Sequence, residues 1–154
     1  MNNLLEPATA TEILLRLDKV QADTPAQWGK MNASQMITHC QRPFEVFFRE
    51  KKLKHSLIGM LFGRMAKKQL FADKPWKKSL PTAPEFVVKD AREFEIEKAR
   101  LVQLINKITT EGPNTTPPVH PFFGKMSLEE WSTLGYKHMD HHLRQFGEIG
   151  RAHV

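Results

Sequence analysis

The residues best suited to chemistry in this 154-residue chain are two histidines four apart, His138 and His142. Laid out at about 100° per residue, Leu128, Trp131, Gly135, His138, His142, Phe146 and Ile149 fall on one stripe of a helix. Lys137, Asp140 and Arg144 fall on the other side, where they are expected to meet water, and His141 lies at the stripe's edge. Side chains one turn apart aim the same way, so His138 and His142 can chelate a single metal ion. In a dry core each neutral imidazole would otherwise need both a donor and an acceptor as partners. The plain alternative is a pair of core histidines satisfied by their neighbours.

A third ligand is available in His39, on the flank of a stripe formed by Met36, Cys40, Pro43 and Phe47. Pro43 has no amide to give the His39 carbonyl, so the helix should bend just past the histidine and aim its ring inward. The alternative for Pro43 is a packing kink without further consequence. Three histidines leave one coordination position open, which distinguishes catalytic from closed structural sites. Neutral imidazoles suit zinc or nickel first, with iron or manganese behind them.

Around such a centre, Gln145 and Gln35 are candidates to orient a ligand's outer nitrogen or to touch substrate, with helix capping the rival role for Gln35. His120, ahead of Pro121 in a loop, and His141 are the weak candidates for proton transfer, and solvent-facing polarity is the rival reading of His120. Cys40, the only cysteine, is expected to face the interior as a small hydrophobe, with a nucleophile or soft ligand as the rarer option.

These residues require helices to hold them. Thr9 to Glu12 has the form of a capping box and predicts a first helix over about Ala10 to Ala22. Asn32 to Gln35 repeats the signal and opens a helix running through Phe48. Lys51 to Phe71 is helix-like despite Gly59 and Gly63, and Pro81 and Pro84 should keep the following linker extended. Asp90 to Glu93 is expected to cap an amphipathic helix carrying Phe94, Leu101, Leu104, Ile105 and Ile108. Ser127 to Glu130 is the clearest box and opens the histidine helix, which Gly147 or Gly150 can end. The expected architecture is one all-α domain over residues 1–154, an up-down four-helix bundle with an extra basic helix between the second and third core helices.

The pattern Met36-Ile-Thr-His39, with His138-Met-Asp-His-His142-Leu-Arg-Gln145 on the last helix, resembles the DinB/YfiT-like metalloenzyme superfamily. His120-Pro-Phe-Phe-Gly124, followed by Trp131, Lys137 and the stretch from His141 to Gly147, is similar to a bacterial branch defined only as a domain of unknown function, family 1569. The resemblance implies a four-helix bundle holding a divalent metal, with His39, His138 and His142 as ligands. It also implies a transferase, hydrolase or isomerase acting on a small-molecule substrate with a low-molecular-weight thiol as co-substrate. S-transfer and isomerisation of maleylpyruvate-like compounds are the superfamily's better-known reactions.

Composition narrows the remaining classes. Apolar residues make up 40% and charged residues 26% with no low-complexity tract, which excludes wholesale disorder. One cysteine excludes an intramolecular disulfide framework, and no apolar run reaches the roughly 18 residues of a membrane span. The first residues lack a basic segment followed by an apolar core, so a cytoplasmic protein is the expectation. The formal charge of +6 is concentrated between Arg49 and Lys78, where ten Lys or Arg residues face two acids. That segment is expected to cover one edge of the bundle or build a homodimer face. Its rival is a non-catalytic role, binding a partner or an anionic membrane surface. Nucleic acid is disfavoured, because no recognition motif or glycine-rich phosphate loop is present.

Overall fold

A computed structural model describes residues 2–53, 57–78, 80 and 82–150. Five helices follow in chain order: α1 (Pro7–Asp18), α2 (Ala33–Phe47), α3 (Leu57–Leu70), α4 (Phe94–Glu111) and α5 (Leu128–Gln145). Single 3-10 turns occupy Pro84–Phe86 and Gly112–Asn114. Among the described residues there is no strand, only an isolated bridge between His120 and Gly124, so the class is all-α as expected. The most extensive helix contact is α2 on α4; α2 also packs on α5, and α1 packs on both α4 and α5. Their shared interior holds Ile13, Leu17, Met36, Ile37, Leu101, Leu104, Ile105, Met139 and Leu143, all fully buried.

Helix ends show where local signals prevail and where they fail. The boxes at Asn32/Gln35 and Ser127/Glu130 form reciprocally, each cap side chain accepting from the backbone amide three residues on. The expected box at Thr9 to Glu12 does not form: α1 begins earlier, at Pro7, whose fixed φ and missing amide suit the first helical position. Thr9 instead donates its hydroxyl to the Glu6 carboxylate. The helix also ends earlier than expected, at Asp18. Asp90 to Glu93 likewise fails to cap α4; Asp90 pairs with Arg92, and the helix starts from Glu93 without a side-chain cap. At the far end of α5, Gly147 has φ +87°. The Gly147 and Glu148 amides donate to the Arg144 and Leu143 carbonyls, a Schellman closure that only a left-handed residue completes comfortably.

The basic segment departs from the single helix expected over Lys51 to Phe71. Lys51 to Leu53 are not helical, and α3 starts at Leu57; Lys54 and residues 55–56 lie outside the described residues, as does Pro81. Pro84 does not extend the linker but starts a 3-10 turn. A Cβ at Gly63 would collide with the Phe122 backbone carbonyl, so glycine there lets α3 press against the 120–124 loop. A Lys67–Glu130 ion pair at 3.0 Å ties α3 to the start of α5.

The largest correction concerns α5 itself. Lys137 and Asp140 do not face water; they are 8% and 6% exposed. The helix is enclosed on nearly every side because loops close what neighbouring helices leave open. Lys137 donates its ammonium to the carbonyls of Ala72 and Lys74, and Asp140 sits between Arg16 and Arg144, each at 2.9 Å. Gln27 donates its backbone N–H to the Gln145 backbone carbonyl, and Trp131 donates its indole N–H to the Pro118 carbonyl. Ile149, placed on the buried stripe by helical spacing, lies past the helix end and is 59% exposed. No helix among the described residues is long and apolar enough to cross a membrane.

Candidate metal centre

Helix α5 presents His138 and His142 one turn apart, and α2 presents His39 opposite them. The Nε2 atoms converge: His39 to His142 is 3.0 Å and His39 to His138 is 3.0 Å. The three imidazoles offer ligand atoms all within 4.8 Å of one another. His39 and His142 are 3% and 7% exposed, while His138 is half-buried and lines the adjoining cavity.

The outer nitrogens decide the tautomers. His39 Nδ1 lies 2.8 Å from the Phe86 carbonyl oxygen, which can only accept, so the proton is on Nδ1 and Nε2 carries a lone pair. His142 Nδ1 lies 2.7 Å from Gln145 Oε1. The Gln145 amide is itself oriented by donating Nε2–H to the Trp28 carbonyl at 2.9 Å, so Oε1 is the acceptor and His142 Nδ1 the donor. Two lone pairs, on His39 Nε2 and His142 Nε2, therefore face each other at 3.0 Å. His138 can donate one proton to His39 but cannot reconcile all three atoms. A cation among them can.

Protonation is a costly way to supply that cation. Burial pushes the His39, His138 and His142 pKa values down, and for His138 and His142 the neighbouring imidazoles push the same way. A tetrahedral ion with metal–nitrogen bonds of about 2.0–2.1 Å separates its ligands by about 3.3 Å, close to the His39–His142 and His39–His138 spacings of 3.0 Å. The donor set, three imidazoles with ligand atoms within 4.8 Å of one another, is of a kind that fits a divalent metal.

The other sequence-derived candidates divide. Gln145 joins the centre through His142. Gln35 does not: its carbonyl accepts from the Asn32 amide, and its Nε2–H donates to the Lys89 and Asp90 carbonyls, so it caps α2 and anchors the linker. His141 is 7% exposed and lines the cavity with its ring against Trp28, Trp76 and His142. Desolvation takes its pKa down to about 4, so the ring is neutral near neutrality. His120 is not solvent-facing; it is 6% exposed, stacked on Phe123 and close to Trp131. Its Nδ1 accepts from the Phe122 and Phe123 amides, which places the ring proton on Nε2. Burial pushes the Cys40 thiol strongly up, and its nearest polar contact is Met36 Sδ, so it is a packed hydrophobe rather than a nucleophile.

Three participants carried no usable signal in side-chain spacing. The Phe86 carbonyl is a backbone group, legible only through Pro84 as the start of a short turn. Trp76, 6.0 Å from His138, was masked by its basic surroundings. Lys137, read as a solvated charge, holds down the turn that carries Trp76.

Beside the triad opens a cavity of about 750 Å³, within the range of small-molecule sites. Its walls come from α2, α3, α5, the 74–86 segment and the 120–123 loop. Residues 3–149 match the family described as "Protein of unknown function (DUF1569)", and the chain belongs to that family. No curated protein and no solved structure matched the chain.

Proposed function

We propose that this chain is a divalent-metal-dependent enzyme of the DinB/YfiT-like type. It would act on a small substrate as a transferase, hydrolase or isomerase, with a low-molecular-weight thiol as a fitting co-substrate. The observation that carries the proposal is the pair of opposed lone pairs on His39 and His142, 3.0 Å apart with both outer nitrogens committed as donors. Support for the bundle reading comes from the closed cycle of contacts joining α1, α4, α2 and α5, with α3 inserted in chain order between the second and third members. An up-down four-helix arrangement accounts for that cycle.

His39, His138 and His142 would hold the metal, zinc or nickel before iron or manganese. A bound metal would supply Lewis acidity and lower the pKa of a water or thiol beside it. The remaining work belongs to the chain. The Phe86 carbonyl and Gln145 Oε1 keep protons on Nδ1 of their histidines, leaving each Nε2 free to bind. The Trp76 ring lies 6.0 Å from that of His138 and 5.6 Å from that of His141, tilted beside both. Neutral His141 can accept a hydrogen bond from a substrate S–H or O–H, and His120 keeps its proton on Nε2.

Metal analysis of protein purified without a histidine tag tests the proposal directly. About one metal per chain, lost in His142→Ala, is expected from a single three-ligand site. Absence of metal after reconstitution with zinc, nickel, iron and manganese overturns it.

A further inference from the structure

The cavity next to the triad has a lining whose composition is one-sided. Phe44, Phe47, Phe86, Phe122, Phe123 and Trp131 are among its lining side chains. Among the described residues, its charged lining apart from histidines is Lys74 and Lys77, and no carboxylate faces it. Both lysines are exposed, so they stand where the cavity meets solvent. Trp76 lies between them in sequence, with its ring 6.0 Å from His138. One short segment therefore brings two cations to the opening and an indole to the triad. That segment is held in place: Lys137 donates to the Ala72 and Lys74 carbonyls, and the Trp76 indole donates to the Leu70 carbonyl at 2.9 Å.

We propose that this cavity selects amphipathic carboxylates, molecules with an apolar aliphatic or aromatic body and a single anionic end held by Lys74 and Lys77. The physical reasons are complementary. An apolar wall of this extent gains by removing hydrocarbon from water, and it penalises polar groups along the body because it offers them few partners. An anion at the opening keeps part of its hydration while gaining the attraction of two cations unopposed by any acid among the described lining residues. A neutral end group loses that attraction, and a cationic one is repelled. The substrate class deepens the metalloenzyme reading above, on which it rests for the reaction but not for binding.

The test is displacement of the fluorophore anilinonaphthalene sulfonate by matched pairs: dodecanoate against dodecanamide, and naphthylacetate against naphthylacetamide. It is run first on metal-stripped full-length protein, so that a carboxylate held by a metal does not imitate one held by the lysines. Each acid is expected to bind at least about tenfold more tightly than its amide, equivalent to about 1.4 kcal/mol. The double variant Lys74→Gln/Lys77→Gln, exposed enough to leave folding intact, is expected to erase the difference without weakening the amides. The tighter of the two acids assigns the body as aliphatic or aromatic. Equal binding of acids and amides overturns the proposal, as does an acid preference that survives the double variant or a failure of both acids to displace the fluorophore. A His142→Ala protein that loses zinc but keeps the acid preference supports the cavity assignment independently of the metal. Acid preference without any metal uptake by the wild-type chain supports it too, while overturning the metalloenzyme reading alone.

Discussion

Helix α5 carries two buried polar clusters, and they differ in how their atoms are satisfied. Asp140 lies between Arg16 and Arg144, with one carboxylate oxygen 2.9 Å from each. Arg16 also donates to the Glu148 carbonyl, so this cluster ties α1, α5 and the chain beyond α5 together. Its charges answer one another. The histidine cluster is built the other way: every outer contact that is fixed commits a donor outward and turns a lone pair inward, to a common point. One arrangement balances its charges internally, although Arg16 Nε and Arg144 Nη2 find no hydrogen-bond partner among the described residues. The other turns two lone pairs toward each other, and burial of polar atoms distinguishes a site from a brace only when their donor and acceptor roles are counted.

The sharpest way to break the comparison is to remove one member of each cluster. His39→Ala is expected to abolish metal uptake while the chain stays folded, measured by elemental analysis and circular dichroism. Asp140→Ala is expected to do the reverse, keeping about one metal per chain but losing about 3–5 kcal/mol in urea unfolding, because Arg16 and Arg144 are left with an uncompensated buried charge. Metal lost in Asp140→Ala with stability unchanged would merge the two clusters into one functional unit.

A smaller effect separates holding a ligand from being one. Gln145→Leu removes the acceptor for His142 Nδ1–H and is expected to weaken metal binding about 10–100-fold in a competition assay with a chelator. Gln145→Glu keeps an acceptor for His142 but loses the donor to the Trp28 carbonyl, and is expected to restore only part of it. No weakening in Gln145→Leu would mean that packing alone orients His142.

Acid distinguishes the clusters through linkage. The buried histidines have pKa values below the unfolded value of 6.5, so the unfolded chain takes up protons first as the pH falls. Their contribution to metal-free stability is complete above 6.5 and, for His141, is lost progressively down to about 4. The urea midpoint of metal-free protein is therefore expected to fall between neutrality and about pH 5, and protons are expected to release metal over the same direction of change. A midpoint that rises on acidification contradicts neutral burial of these rings. The smallest effect belongs to the surface: Lys67→Ala, breaking the partly exposed pair with Glu130, is expected to cost no more than about 1 kcal/mol.

Legibility in the sequence followed the range of the forces involved. The caps at Asn32 and Ser127 are local exchanges within four residues, and they formed where the spacing put them. Those expected at Thr9 and Asp90 gave way to Pro7, whose own backbone suits a helix start, and to the Asp90–Arg92 pair. Helical spacing placed His138 and His142 on one face, but it assigned Lys137 and Asp140 to water because it sees one helix at a time. Loops arriving from residues 24–31, 71–76 and 118–124 enclose the other sides of α5.

By itself, then, the chain's sequence determined that the fold is helical, where two of the helices begin, and that two imidazoles share a direction, because caps and helical periodicity are set by neighbours along the chain. Tertiary structure alone decided that His39 meets them at 3.0 Å, that the Phe86 carbonyl sets its tautomer, and that two lysines border an aromatic cavity. Those contacts join residues dozens of positions apart. Their geometry is fixed by how apolar faces pack and by where each buried donor finds an acceptor, and neither is encoded in local spacing.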